Sequence, residues 1–171
     1  MPPLIYLDNC IVSGDARKDL APAEQAAVAT LRALERNGVI ELVTSRLSWH
    51  EQGRTRDPLV RAQLEAARDD TKTVAVDTRH LSGSFQSVHG GGFISTPLLT
   101  DILDDALYRD ARAIGLKDID ARHLVHAHFN RCMWFVTTDP DFTRIAAQLV
   151  SRCGGMRIAT PSETAQILGN A

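Results

Sequence analysis

Four acidic side chains in this sequence stand where they could share one site. Asp8 follows the short apolar run at residues 4–7, and Asp139 comes just after a second run at residues 132–137. Both runs have the composition of strands buried in a parallel sheet. Asp120 falls in the first turn of a predicted helix, and Glu51 lies further along another helix. Because the carboxyl ends of parallel strands meet at one edge of an open sheet, we expect these acids to converge there.

Carboxylates brought together in this way repel one another unless a cation lies between them. All of the expected ligand atoms are oxygens, which favour hard metals such as Mg²⁺ or Mn²⁺. Such a site holds one metal ion, or two roughly 3.5–4 Å apart, and leaves positions open for water and phosphate oxygens. The residue types therefore predict a metal-assisted, in-line attack on a phosphodiester.

Taken one at a time, three of these acids have simpler explanations. Glu51 on an exposed helix face would be only a solvated charge, and Asp120 could complement the helix macrodipole, a contribution of roughly 0.3–1 kcal/mol. Asp139 could form an Asx turn that caps the helix after it. Asp8 is the exception, because a carboxylate at the end of a buried strand has less reason to be there. The joint pattern of the four acids, rather than any one of them, favours a shared site.

The elements that must position these acids alternate between strand-like and helix-like segments along the chain, which predicts a parallel sheet covered on both faces. We expect an α/β fold, a three-layer sandwich whose open central parallel sheet has about five strands. Strands are predicted near residues 4–7, 39–43, 73–77, 132–137 and 156–160. Helices are predicted at 22–36, from Ser45 onward, at 56–70, 98–116, from 117 with Asp118 as N-cap, at 142–150 and after Pro161, and a turn at residues 13–15.

Length and composition indicate a single domain spanning residues 1–171. Nineteen basic against 21 acidic residues give a net charge of −2, which argues against a strongly basic nucleic-acid coat but not against a local basic rim. The three cysteines are odd in number and lack CxxC spacing, and no apolar run approaches a membrane span, so we expect a reduced, cytoplasmic protein. The Gly- and Ser-rich segment 80–97 is predicted to be a mobile loop.

Five segments taken in order resemble the successive signatures of PIN-domain ribonucleases, the fold of VapC-type toxins of toxin–antitoxin pairs. They are IYLDNCIV, SRLSWHE, KDIDARHLVHA, FVTTDPDF and IATPSE, and together they span nearly the whole chain. The resemblance implies a single PIN-like domain and a Mg²⁺- or Mn²⁺-dependent endoribonuclease. It also implies a homodimer and, for a type II toxin, a cognate antitoxin protein.

Carried over by motif, the metal-binding and catalytic acids of the family correspond to Asp8, Glu51, Asp120 and Asp139. Ser45 and Thr137 match the hydroxyl residues that accompany the second and fourth motifs. This chain departs from the family pattern at Cys10, because Asn9 follows the first aspartate directly. The chain is also longer than a minimal toxin between Arg54 and Thr100.

Other side chains are candidates for supporting roles. We expect Asn9, Ser45, Thr137, Asp118 and Asp141 to support the acids. Arg46, Arg54 and Arg56 cluster near Glu51 and would form a basic rim for RNA phosphates, although an ordinary solvated face explains them equally well. The histidines at 123, 126 and 128 lack the spacing of a zinc-binding helix, and core or surface positions explain them better.

Two rival functions remain open at the level of sequence. The first is an RNA-binding or regulatory module that has the fold without cleaving RNA; a full set of four acids argues against it. The second is a phosphoaspartyl-type phosphohydrolase, which also begins with a strand and an aspartate. That chemistry needs a second aspartate two residues further on as general acid, and position 10 is a cysteine.

Overall fold

A computed structural model describes residues 1–81, 85–86, 93–94 and 98–169. Within them the strands are β1 (Leu4–Leu7), β2 (Glu41–Thr44), β3 (Lys72–Thr73), β4 (Arg79–Leu81), β5 (Phe85–Gln86), β6 (Phe93–Ile94), β7 (Leu98–Thr100), β8 (Trp134–Val136) and β9 (Arg157–Ala159). The helices are α1 (Asn9–Arg17), α2 (Pro22–Arg36), α3 (Arg46–Gln52), α4 (Pro58–Asp69), α5 (Asp105–Ala113), α6 (Asp118–Phe129), α7 (Pro140–Val150) and α8 (Pro161–Gly169).

Five strands form a central sheet in the order β3-β2-β1-β8-β9, and all of its pairs are parallel. Strand β1 is the middle strand, with Tyr6 opposite Val43 of β2 and Phe135 of β8. Four short strands outside this sheet pair antiparallel, β4 with β7 and β5 with β6. The predicted α/β class and the parallel sheet of five strands are confirmed.

Helices cover both faces of the sheet because successive strand side chains point to opposite sides. Tyr6 and Phe135 pack against α5, α6 and α7 in one buried cluster. Ile5 and Leu7 of the same strand pack on the other face against α1 and α2, with α8 partly buried beside them. The result is the three-layer arrangement expected from the sequence. No helix among the described residues combines the length and the apolar character that crossing a membrane requires.

The turn predicted at residues 13–15 is wrong, since these residues lie inside α1. Asp8 caps that helix, and its side chain accepts a hydrogen bond from the backbone N–H of Asn9. Gly14 serves close packing here and not a turn, because a Cβ at this position would lie 2.5 Å from Cδ2 of Leu20 and force that side chain to shift. The helix matters for the site, since it brings further side chains to the carboxyl edge of β1.

Two other elements are shorter than predicted, and one prediction lies largely outside the described residues. The strand expected at 73–77 is only the two-residue β3, and the helix expected at 98–116 contains the strand β7 and then α5. Antiparallel pairing with β4 draws residues 98–100 into a strand, which local periodicity could not indicate. Of the segment 80–97, residues 82–84, 87–92 and 95–97 lie outside the described part, so the predicted loop remains a prediction.

Candidate functional site

A pocket of about 390 Å³ opens at the carboxyl edge of the central sheet. We call it the acidic pocket, and its lining contains all four acids predicted from the sequence. The residues that line it are Asp8, Asn9, Cys10, Ser13, Arg17, Glu51, Gln52, Arg54, Thr55, Leu64, Asp120 and Asp139. The acids come from four separate parts of the chain, so the fold itself brings them together.

Asp8 is held at the end of β1 by bonds to both carboxylate oxygens. Its Oδ1 accepts from the backbone N–H of Asn9 at 2.7 Å, and its Oδ2 accepts from Thr137 Oγ1 at 2.7 Å and from Cys10 Sγ at 3.3 Å. Its own N–H donates to Val136 O at 3.0 Å, which continues the sheet pairing by one residue. Asp8 is only 5% exposed, and its carboxylate is held by one backbone N–H and two side chains.

Asp139 follows β8 and is the N-cap of α7. Its Oδ1 accepts from the backbone N–H of Asp141 at 2.8 Å, and its own N–H donates to Thr137 Oγ1 at 3.0 Å. The simple capping role considered for Asp139 is therefore present, and the residue lines the acidic pocket as well. Thr137 donates to the Asp8 carboxylate and accepts from the backbone N–H of Asp139, so its hydroxyl links these two residues.

Asp120 lies in the first turn of α6 and is the least satisfied of the four. Its Oδ2 is buried and has no hydrogen-bond partner within the described part of the chain. Burial first, and then the nearby Asp8 and Asp139 carboxylates, raise the pKa of its carboxyl to about 6. Three acids are therefore close enough to interact through their charges.

Glu51 of α3 lines the acidic pocket, and its carboxylate is bonded to the buried side chain of His123. Its Oε2 lies 2.9 Å from Nε2 of His123, a side chain that is only 1% exposed. The Glu51 side chain is 26% exposed, so it reaches both the protein interior and the pocket. It is not the fully solvated charge that a helix-surface position would give.

The predicted supporting residues divide into two groups. Asn9 lines the acidic pocket, and its side-chain oxygen accepts from Ser13 Oγ at 3.0 Å and from Gln52 Nε2 at 3.2 Å. Thr137 bridges Asp8 and Asp139 as described above. Ser45 is the N-cap residue of α3, but its hydroxyl makes no cap bond and lies 2.7 Å from Tyr6 Oη.

Asp118 and Asp141 are not among the residues that line the acidic pocket. Asp118 is bonded to the Tyr108 hydroxyl and pairs with Arg122, and Asp141 pairs with Lys117 at 3.1 Å. The prediction that Asp118 is the N-cap of α6 is wrong, because Lys117 occupies that position. Their carboxylates are engaged on the surface beside the site.

Only one of the three predicted basic residues lines the acidic pocket. Arg54 lines the acidic pocket, and Arg56 is exposed without contributing to its lining. Arg46 pairs with Asp77 at 3.0 Å and lines a smaller cavity of about 190 Å³ on another side of α3. Arg17, which the sequence analysis did not consider, lines the acidic pocket from the last turn of α1. A cationic rim of two arginines, Arg17 and Arg54, thus borders the four acids.

Sequence reasoning missed Arg17 and the role of His123 for different reasons. Arg17 was missed because the helix that carries it was predicted as a turn. For His123 a signal existed, since residues three apart lie on the same face of a helix and Asp120 is three residues earlier. Only the fold shows that this face turns toward Glu51.

The acidic pocket fits a hard metal ion in its chemistry, but its side chains are not already arranged around one. Asp120 has a buried, unpaired Oδ2 and a pKa raised by burial and then by the neighbouring carboxylates, and a bound cation would relieve both. Within the described residues, however, no group of three or more His, Cys, Asp or Glu side chains has the arrangement needed to hold a metal. The carboxylates would have to move inward to bind a single ion.

A second cavity, of about 440 Å³, lies near the amino ends of β8 and β9 and is lined by side chains such as Met133, Met156 and Arg157. None of the four acids lines it. Its size alone does not make it the better candidate, because chemistry needs the convergent polar groups that the acidic pocket contains.

Comparison of this chain with protein-family models, with curated proteins and with solved structures finds no match.

Proposed function

We propose that this protein is a metal-dependent endoribonuclease of the PIN type that hydrolyses RNA phosphodiester bonds in the acidic pocket. The observation that carries the proposal is that four acids from four separate elements line one pocket at the carboxyl edge of a parallel sheet. Such a concentration of negative charge is costly in a folded protein unless a bound cation offsets it. The resemblance of the acidic segments to PIN-domain signatures supports the same reaction.

In this proposal Asp8 and Asp120 bind Mg²⁺ or Mn²⁺ directly, and Glu51 and Asp139 bind it directly or through water. A metal bound there would lower the pKa of a water molecule and polarise phosphate oxygens. Thr137 links the Asp8 carboxylate to the backbone N–H of Asp139. Arg17 and Arg54 attract the RNA backbone, since guanidinium groups bind phosphate oxygens with two parallel hydrogen bonds.

The test is cleavage of a labelled single-stranded RNA with Mn²⁺, with Mg²⁺ and with excess EDTA. We expect cleavage that requires the metal, and no detectable cleavage by Asp8→Asn. Asparagine is as good a helix N-cap as aspartate, so the fold of this variant should be retained. The matched control is Asp69→Asn, which removes an exposed acid of α4 outside the acidic pocket.

Cleavage that continues in EDTA, or that Asp8→Asn performs at the rate of the unsubstituted protein, would contradict the proposed function. Equal loss of activity in Asp69→Asn would show that the assay reports net charge instead of the site.

One observation favours a second candidate, an RNA-binding module of the same fold that does not cleave. Within the described residues no three metal-binding side chains are arranged around a common point, whereas Arg17 and Arg54 already border the pocket. This candidate predicts RNA binding with no cleavage at any concentration of Mn²⁺ or Mg²⁺. The cleavage assay therefore separates the two functions.

A phosphoaspartyl hydrolase is disfavoured by the residue at position 10. A general acid there must release its proton near neutral pH. Burial, followed by the charge of Asp8, raises the pKa of the Cys10 thiol to about 12. The thiol also donates a hydrogen bond to Oδ2 of Asp8, the residue whose carboxylate would have to attack phosphorus.

The same proposal extends to a biological role as the toxin of a type II toxin–antitoxin system. It places the protein in the cytoplasm as a homodimer that a cognate antitoxin protein inhibits. We expect induced expression of the chain in a bacterial host to arrest growth, and expression of Asp8→Asn at the same level to leave growth unchanged. Growth arrest by both would indicate toxicity unrelated to cleavage.

A further inference from the structure

A buried hydrogen-bonded network lies directly behind Glu51 and involves side chains that the proposed chemistry does not use. His123 of α6 has its Nε2 2.9 Å from Glu51 Oε2 and its Nδ1 2.6 Å from the Tyr6 hydroxyl. The Tyr6 hydroxyl also lies 2.7 Å from Ser45 Oγ, and because it has one hydrogen it donates to only one of these two neighbours. The network therefore connects β1, the start of α3 and α6, the three elements that also supply Asp8, Glu51 and Asp120.

The direction of the first bond follows from the chemistry of its partners. A carboxylate can only accept hydrogen bonds, so His123 Nε2 carries the hydrogen and donates it to Glu51. The bond occupies one oxygen of the Glu51 carboxylate, Oε2, and restricts rotation of the group. The other oxygen remains available on the side of the acidic pocket, which Glu51 lines.

The imidazole ring itself cannot turn easily. Tyr6 is fully buried, its ring meets that of His123 edge-on at 5.9 Å, and it stacks on Phe135 at 5.3 Å. Phe135 in turn packs on Phe142 of α7 at 4.6 Å. The aromatic side chains packed around Tyr6 therefore set the orientation of His123. Through its bond to Glu51, His123 in turn restricts the orientation of the Glu51 carboxylate.

We propose that His123 is a positioning residue that holds Glu51 for metal binding, with Tyr6 holding His123 in place. The inference rests on the proposed function of the acidic pocket. A glutamate has three rotatable side-chain bonds, and a fixed donor behind it reduces the freedom that binding a metal must remove. Hydrogen bonds from a second layer of residues to metal ligands are worth about 10- to 100-fold in metal affinity.

A purely structural role is the alternative, and the two roles differ in what they predict. The side chain of His123 is packed among core residues, so leucine would fill much of the same space without a donor. If His123 served only the core, its replacement would change stability and leave metal affinity relative to the folded protein unchanged. If it positions Glu51, the loss of affinity must depend on the presence of the Glu51 carboxylate.

The experiment is titration of the full chain with Mn²⁺ alone, followed by calorimetry, for His123→Leu, Glu51→Gln and the double variant. We expect His123→Leu to weaken Mn²⁺ binding about tenfold, and to cause no further weakening when Glu51 is already glutamine. His123→Gln should restore most of the affinity, because its side-chain amide can place an N–H near the position of the imidazole Nε2. Circular dichroism at the titration temperature confirms that each variant is folded.

Equal weakening by His123→Leu in the presence and absence of the Glu51 carboxylate would overturn the inference, as would unchanged affinity in a folded His123→Leu. Tyr6→Phe gives a milder second test, since it removes the hydroxyl that holds Nδ1 and retains the ring. Binding of Mn²⁺ by the unsubstituted chain with no effect of His123→Leu would refute only the positioning role. Absence of Mn²⁺ binding by the unsubstituted chain would refute the proposed function, and the positioning role with it.

Discussion

At the scale of single residues, Asp120 is the side chain that the folded protein accommodates least well without a ligand. Its pKa is raised to about 6 by burial first and then by the Asp8 and Asp139 carboxylates. A carboxyl whose pKa is higher in the folded than in the unfolded chain binds more protons when folded. The folded state therefore loses stability as the pH rises from the unfolded value of about 4 through 6, and the full penalty is present above that range.

We expect Asp120→Asn to stabilise the metal-free protein above pH 6. The raised pKa corresponds to a penalty of a few kcal/mol, and about 1 kcal/mol is a realistic gain because the side chain is only partly buried and solvent screens its charge. The measurement is urea unfolding in EDTA at pH 4.5 and 7.5, where the gain should be larger at the higher pH. A loss of stability at both pH values would contradict this assignment of the charges.

The same variant should lose the stabilisation that Mn²⁺ gives to the unsubstituted protein. A ligand that binds only the folded state at 100 times its dissociation constant stabilises it by about 2.7 kcal/mol. We expect this increase in the unsubstituted chain and in Asp69→Asn, and little or none in Asp120→Asn. A similar increase in all three proteins would place the metal elsewhere.

The acids could be predicted from the sequence because the strand or helix that carries each one determines where its side chain lies. Asp8 and Asp139 follow buried strands, so parallel pairing decides which edge of the sheet they reach. The neighbours of the acids could not be predicted in the same way. Whether His123 contacts Glu51 depends on how α6 crosses α3, and no local pattern encodes that distance.

At the scale of elements, helix starts determine much of the site. Asp8 and Asp139 each follow a strand and cap the next helix, so the same carboxylate that lines the acidic pocket also caps α1 or α7. The capping role is a sequence prediction that the structure confirms for Asp139. Helix α5 is capped by Asp104 in the same manner, away from the pocket, through bonds to the N–H groups of Ala106 and Leu107.

Replacing Asp139 in two ways should separate its capping role from its proposed metal-binding role. Asp139→Ala removes the bond to the N–H of Asp141 and should cost about 1 kcal/mol, whereas Asp139→Asn retains a good N-cap and should cost much less. Both variants should weaken Mn²⁺ binding. Denaturant unfolding measures the first effect and calorimetry the second. Asp104→Ala is the control, with a comparable loss of stability and unchanged Mn²⁺ binding.

The limits of prediction at this scale have a physical origin. The helix predicted at 98–116 begins only at Asp105, because residues 98–100 pair with β4 and Asp104 supplies a cap. The strand predicted at 73–77 is limited to β3, at the edge of the sheet, where only one neighbouring strand offers bonds. In each case a partner distant in sequence decided the outcome.

At the scale of the whole molecule, the chain has a net charge of −2 and concentrates negative charge in the pocket that is proposed to receive RNA. Attraction of the RNA backbone must then come from local cations. Arg17 and Arg54 are the arginines in the lining of this pocket. Arg17 shares its charge with Asp19 at 2.9 Å, so Arg54 is the better candidate for a phosphate contact.

We expect Arg54→Gln to weaken binding of a single-stranded RNA and to reduce its salt dependence. Loss of one phosphate contact should lower the slope of log K against log salt concentration by about 0.7. The measurement is fluorescence anisotropy at several salt concentrations in the Asp8→Asn background, so that the RNA stays intact. Arg46→Gln is the matched control, because Arg46 pairs with Asp77 and lies outside the pocket lining. An equal effect of both substitutions would point to general charge rather than to the pocket.

The position of β1 between β2 and β8 determines when the site can form during synthesis of the chain. Asp8 leaves the ribosome before Thr137, which is 129 residues further along the chain and whose hydroxyl holds the Asp8 carboxylate. At a synthesis rate of about 5–20 residues per second, on the order of ten seconds separate the two. For a protein proposed to cut RNA, activity can then begin only after the message has been translated through the codon for Thr137.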